Sequence, residues 1–472
     1  MHDVGQADER FARMNRMSPL DASFLHLEDD NSSMHIGSTA IFEGPAPTQD
    51  EFQAMVESKL PLVPRYRQKV RFVPLELGRP LWEDDPHFNI CYHVRHTALP
   101  SPGGQSELRN LIGRVMSQML DRTKPLWEMW VVEGLEDGHW ALISKTHHAM
   151  VDGVSGTDLL AVMLDSSATP ERPVAPDWQP EQPVSNVRLI AGAVGERAVS
   201  PYELVRGARR VVRAPRQFAT EVVEAAKGMR SMAGVAVPTA ATSLNGPIGP
   251  HRRYSWARGS ISEVKGVRAA LGGTLNDVVL AAISQGFREL LQSRGEDLDG
   301  RTVRSLVPVS VRRPGEKGTY NNRVSAMFAE LPVGIADPVE RLHAVTAQLA
   351  RLKESKQAVA GDVLTGLAGF APPVLLSVGT RVAFRAPQRN INTVTTNVPG
   401  PRVQLYAAGR KMLEAFPYVP LAGRVRIGIA IFSYLDTLNF GVTGDYDTTA
   451  DLDVLSHGIE AGMADLVKAA SS

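Results

Sequence analysis

Apolar and polar positions change period several times along the chain. Ile36 to Phe42, Trp130 to Val132 and Ala141 to Thr146 read as short strands, while Glu107 to Leu120 and Gly156 to Leu164 place apolar residues at helical spacing. Phe88, Ile90, Tyr92 and Val94 alternate around Cys91 as they would in a strand. From Ser18 to about Ser167 the mixture predicts an α/β unit. The run ATPERPVAPDWQPEQPV then carries Pro170, Pro173, Pro176, Pro180 and Pro183, whose fixed φ and missing N–H forbid continued helix or central strand. Val187 to about Gly234 is helical in pattern, and the turn-rich TSLNGPIGPHRR precedes Tyr254 to Asp445, where strands and helices alternate again. The expected fold class is α/β, with domains at 1–180 and 251–472 joined by a Pro-rich and helical linker at 181–250.

Size agrees with two domains, since 472 residues exceed the roughly 250 to 300 at which single cores stop growing. An apolar share of 43% and a charged share of 22% suit a folded chain rather than a disordered or fibrous one. Lysine plus arginine equals aspartate plus glutamate at 51 each, so no global field draws the chain to nucleic acid. The locally basic stretch is Tyr202 to Met232, where Arg206, Arg209, Arg210 and Arg213 stand among apolar residues and Pro215 interrupts the helical pattern. It reads as a membrane-facing segment or as a linker helix with a solvated basic face. A single cysteine, Cys91, a polar N-terminal stretch and no run of about 18 apolar residues give the expectation of a cytoplasmic chain that does not span a membrane.

Candidate chemistry lies where the apolar run Trp140 to Thr146 ends at His147-His148, followed by Asp152-Gly153 and a helical stretch. Glycine after the aspartate suits a turn at positive φ that would bring Asp152 back beneath the loop, beside His148. An imidazole is the side chain best matched to taking a proton from a hydroxyl at neutral pH. Taken alone, the pair is compatible with a structural role as well as with catalysis. Adjacent residues of a strand point to opposite sides, so His147 and His148 are not expected to share a metal ion. Further on, Thr274 is the expected N-cap of a helix whose apolar positions run from Leu275 to Leu291, with Asp277 as the acidic member of a capping box. That cap has no need of Asn276.

The ordered set of motifs resembles the bacterial wax ester synthase/acyl-CoA:diacylglycerol acyltransferases. It comprises Ser18-Pro19-Leu20-Asp21, Met34-His35-Ile36-Gly37, Pro125-Leu126-Trp127-Glu128, the double histidine, Leu244-Asn245-Gly246-Pro247, Asn276-Asp277-Val278-Val279 and Asn397-Val398-Pro399-Gly400-Pro401. The resemblance implies two CoA-dependent, chloramphenicol acetyltransferase-like domains with a channel between them. It makes His148 the base, His147 its support and Asp152 the residue that holds the loop. Asn276, Asp277, Trp127 and Gly153 form the implied substrate-facing set, with Asn276 meeting the thioester oxygen or orienting the acceptor. For Trp127 a buried core position stands as an equal reading. The implied reaction moves a long-chain acyl group from acyl-CoA, a co-substrate, to diacylglycerol or a fatty alcohol, with no cofactor or metal. Peripheral contact with the inner membrane face or lipid droplets goes with such acceptors. Two other functions fit the histidine motif: a stand-alone condensation-type acyltransferase with a carrier-bound donor, and a non-catalytic lipid-surface protein.

Overall fold

The computed structural model describes residues 15–151, 162–171, 177–193, 241–310, 324–354 and 390–472. In chain order the first part holds helix α1 (Pro19–Leu27), strand β1 (His35–Phe42), helix α2 (Gln49–Lys59), strands β2 (Gln68–Arg71), β3 (Leu81–Asp84) and β4 (Val94–Ala98), helix α3 (Gln105–Ser117), and strands β5 (Trp127–Glu133) and β6 (Trp140–His147). The second holds β7 (Arg252–Ser260), α4 (Ile261–Leu271), α5 (Leu275–Ser293), β8 (Val303–Ser310), β9 (Val324–Leu331), α6 (Pro338–Glu354), β10 (Thr393–Val398), β11 (Tyr406–Ala407), β12 (Arg410–Tyr418), β13 (Ile427–Tyr434), β14 (Thr437–Asp445) and α7 (Leu452–Ala470).

Two six-stranded sheets organise these elements, ordered β11-β12-β1-β6-β5-β4 and β7-β14-β13-β10-β8-β9. The α/β class expected from periodicity is what is found. β11 and β12, far along the chain, complete the first sheet, because β12 pairs antiparallel with β1 over Gly37↔Tyr418 to Phe42↔Met412. Strand alternation sorts β6 between two cores: Trp140 and Leu142 join Phe42, Phe52 and Trp127 on one face, while Ala141 and Ile143 join Leu108, Ile112 and Val115 of α3 on the other. Tyr254 and Trp256 of β7 and Phe416 and Tyr418 of β12 close that second core, so apolar burial continues from one sheet to the next. A third core lies between the second sheet and helices α5 and α7. Each fully buried aromatic or aliphatic side chain in these layers contributes roughly 1.5 to 3 kcal/mol.

The alternation read around Cys91 is not a strand. Ile90–His93 is a helical turn, because the Asn89 side chain accepts the Cys91 N–H at 3.0 Å and caps it, and extended backbone begins only at Val94. The helix expected over Glu107 to Leu120 is α3, ending at Ser117. Most of the helical pattern Gly156 to Leu164, and the basic segment Tyr202 to Met232, lie outside the described residues.

Candidate active site

Helix α1 builds the wall against which the double histidine rests. Ser18 caps it by accepting the Asp21 N–H at 3.1 Å, Pro19 occupies the first helical position and the Asp21 carboxylate accepts the Ser18 O–H. Ser-Pro-Leu-Asp is therefore a helix-start signature. Phe24 and Glu28, four residues apart, fall on one face at the helix end. The Phe24 ring stacks on the His148 imidazole with centroids 3.9 Å apart and planes 25° apart. Glu28 takes the neighbouring histidine, its Oε2 standing 3.0 Å from Nε2 of His147.

Backbone bonds fix both histidines. Strand β6 pairs with β1 down to His35↔His147, the Leu126 carbonyl accepts the His147 N–H at 2.9 Å, and the Met34 carbonyl accepts the His148 N–H at 2.8 Å. Gly37 lets the strands close above this point, since a Cβ there would lie 2.3 Å from the Ser144 carbonyl oxygen. The Met-His-Ile-Gly and Pro-Leu-Trp motifs thus hold the backbone of the histidine pair. At His148 the chain leaves the strand for a single 3₁₀ turn, His148–Met150, so consecutive rings diverge. His147 faces a closed polar pocket, whereas His148 is half-buried.

One carboxylate, Glu28, gathers the donors of that pocket. Nδ1 of His147 accepts the Ala149 N–H at 3.0 Å, which leaves the ring proton on Nε2, facing Glu28. Its alignment falls short of a straight hydrogen bond, so the attraction is chiefly electrostatic. Glu28 also accepts the Met34 N–H at 3.1 Å and a two-pronged contact from Arg122, at 3.2 and 3.0 Å. Burial raises the Glu28 carboxyl, but the facing His147 ring, with His35 and Arg122, outweighs it and holds the group at about 2. Burial, and then the Lys145 ammonium, hold His35 well below its ordinary value. Lys145 is itself fully buried, donating to the carbonyls of Val115, at 2.9 Å, and Gln118, and burial lowers it to about 8. It fastens the end of α3 to β6.

Burial pushes the His148 imidazole down to about 4, and His147 adds to the effect. The ring is therefore unprotonated at neutral pH and available as a proton acceptor. Asp152 and Gly153 lie outside the described residues. Trp127 occupies a buried core position: fully enclosed, its indole N–H donates to the Tyr66 carbonyl at 2.8 Å and its ring stacks on His93 at 4.5 Å. Thr274 and Asp277 form the expected capping box, the Thr274 side chain accepting the Asp277 N–H and the buried Asp277 carboxylate accepting the Thr274 N–H at 2.8 Å. Asn276 is half-buried beside them. Its side-chain oxygen lies 3.4 Å from the Asn397 amide, joining the Asn-Asp motif to Asn-Val-Pro-Gly-Pro.

Comparison with known proteins decides the family. The profile of the wax ester synthase/diacylglycerol acyltransferase catalytic domain matches residues 17–279, and that of the WS/DGAT C-terminal domain matches residues 320–466. The chain belongs to the wax ester synthase/diacylglycerol acyltransferase family. It is 39% identical over 456 residues to the Mycobacterium tuberculosis (strain ATCC 25618 / H37Rv) protein named "Probable diacyglycerol O-acyltransferase tgs1", with 96% of each chain covered. The wax ester synthase/diacylglycerol acyltransferase from Marinobacter aquaeolei VT8 superposes with a TM-score of 0.67 at 25% identity, over 97% of this chain and 100% of that one. The starter condensation domain of rhizomide synthetase, solved with C8-CoA, shares the fold, with a TM-score of 0.56 at 12% identity over 98% and 96% of the two chains.

As a member of this family the protein is an acyltransferase. Two landmarks by which a wax ester synthase/diacylglycerol acyltransferase is recognised hold backbone here. Asn245 donates to the Ile391 carbonyl at 2.7 Å, and a Cβ at Gly400 would lie 2.0 Å from the Ser433 carbonyl oxygen. Sequence reasoning missed Phe24, Glu28 and Arg122, and named His35 only within a motif. The i, i+4 spacing of Phe24 and Glu28 behind a helix-start signature was the available signal for the first two.

Proposed function

We propose that the enzyme transfers a long-chain acyl group from acyl-CoA to the free hydroxyl of diacylglycerol, forming triacylglycerol, and accepts long-chain alcohols to form wax esters. Family membership supplies the substrate classes. The observation that carries the chemistry is His148 itself: stacked on Phe24, fixed through Met34 and kept unprotonated by burial. A cytoplasmic setting belongs to the same proposal.

In this reading His148 removes the proton of the acceptor hydroxyl as its oxygen bonds to the thioester carbonyl carbon. The carbonyl electrons move onto oxygen, and an N–H donor such as the Asn276 amide meets the developing charge. The oxyanion then collapses, the carbon–sulfur bond breaks, and the imidazolium returns its proton to the CoA thiolate. No covalent enzyme intermediate is needed. His147 acts as a positioning residue through Glu28, and Asp152 is assigned the support of the loop that follows.

The test is an acceptor panel with palmitoyl-CoA, comparing diacylglycerol, hexadecanol and monoacylglycerol while free CoA is followed. Release of CoA with diacylglycerol is the expected outcome. Turnover only with a carrier-loaded donor would replace this reading by the condensation-type one, and binding without turnover by the lipid-surface one.

A further inference from the structure

The connection between β2 and β3, residues 72–80, displays apolar side chains outward. Val73 and Leu77 turn inward against Leu189 and Ala193 of the facing segment, while Leu75, between them, is 84% exposed. Leu75 has φ 57° and Glu76 φ 51°, a left-handed tip that disfavours a leucine. Phe72 and Val187 are exposed close by, Val187 following Asn186, whose side-chain oxygen accepts from Arg71 at 2.7 Å. Three guanidinium groups, Arg71 at the end of β2, Arg79 in the loop and Arg188 in the facing segment 184–193, stand against one carboxylate of the loop, Glu76. The loop is also tied to the helix that carries the histidine wall: Met17 donates to the Pro80 carbonyl at 2.9 Å and Arg79 to the Met17 carbonyl at 3.0 Å, one residue before the α1 cap. The length of α1, nine residues or about 13 Å, separates this surface from Phe24 and Glu28's end of the helix.

We propose that this loop and the segment facing it are the element by which the enzyme rests on an anionic phospholipid surface, with Leu75, Phe72 and Val187 entering the interface and the exposed Arg188 meeting headgroup phosphates. The proposal rests on the reading of the acceptor as a lipid, and a binding readout separates the two. The full chain is floated with vesicles of phosphatidylcholine alone and with phosphatidylglycerol added, in parallel with hexanol turnover and light scattering. Phe72→Ser with Leu75→Asn and Val187→Ser is expected to lower partition onto the mixed vesicles at least about tenfold, with hexanol turnover retained. Leu75→Asn alone provides a variant that must fold: asparagine tolerates positive φ, so its melting temperature equals or exceeds that of the parent while vesicle binding falls. Arg188→Gln is expected to weaken binding to the mixed vesicles and leave binding to phosphatidylcholine alone unchanged. Vesicle binding that is absent in the parent, or unaltered in Leu75→Asn and in the triple variant, overturns the proposal. A change in scattering mass in the variants without a change in vesicle binding overturns it in favour of a contact between copies.

Discussion

Nε2 of His147 stands 3.0 Å from the Glu28 carboxylate, in a pocket that solvent does not enter. Removing the carboxylate leaves the His147 and Met34 N–H groups and the Arg122 guanidinium without their acceptor. Glu28→Ala is therefore expected to destabilise the fold by about 3 kcal/mol, measured by denaturant unfolding. Glu28→Gln keeps an acceptor but not the charge, and is expected to lose activity with a smaller loss of stability than Glu28→Ala. Equal activity in Glu28→Gln and the parent would show that the charge has no bearing on His148.

The same carboxylate gives acid sensitivity a sign. Its folded value, about 2 against an ordinary 4.5, means that the unfolded chain binds more protons in between. Its contribution is complete above about pH 4.5 and is lost as pH falls toward 2. Glu28→Gln should flatten the decline in stability across that window, and an unchanged slope would remove Glu28 from the acid transition.

Phe24 covers one face of the base. With His148 at about 4 rather than 6.5, kcat/KM should stay level from neutral pH down to about 5 and fall only as pH approaches 4. Phe24→Ala admits water to the ring, so the acid limb should move up toward 6.5. An acid limb near 6.5 in the parent enzyme would contradict the lowering of His148 by burial.

Much of this arrangement is legible in the sequence, and the exceptions have physical causes. The periodicity of Ile36 to Phe42 and Ala141 to Thr146 marks β1 and β6, and Thr274 with Asp277 marks the start of α5, because these signals are local. The alternation at Phe88 to Val94 misleads because one capping side chain, Asn89, outweighs the pattern. The pairing of β12 with β1 depends on a partner far along the chain, which no window can register. Glu28 is hidden for the same reason: only folding sets it against His147.

Trp127 and Asn276 separate structural from chemical roles. Trp127→Phe should cost about 1 to 2 kcal/mol through the lost bond to Tyr66 while leaving KM for acyl-CoA unchanged. Asn276→Ala should spare stability, since the cap belongs to Thr274 and Asp277, but lower kcat. Normal kcat and KM in Asn276→Ala would end its assignment to the oxyanion.

The most direct test of the account is the steady-state rate of His148→Ala with palmitoyl-CoA and diacylglycerol, alongside its unfolding curve. Loss of a general base predicts a fall in kcat of about 10²- to 10⁴-fold with the cooperative transition retained. A folded His148→Ala enzyme turning over at the parent rate would contradict it.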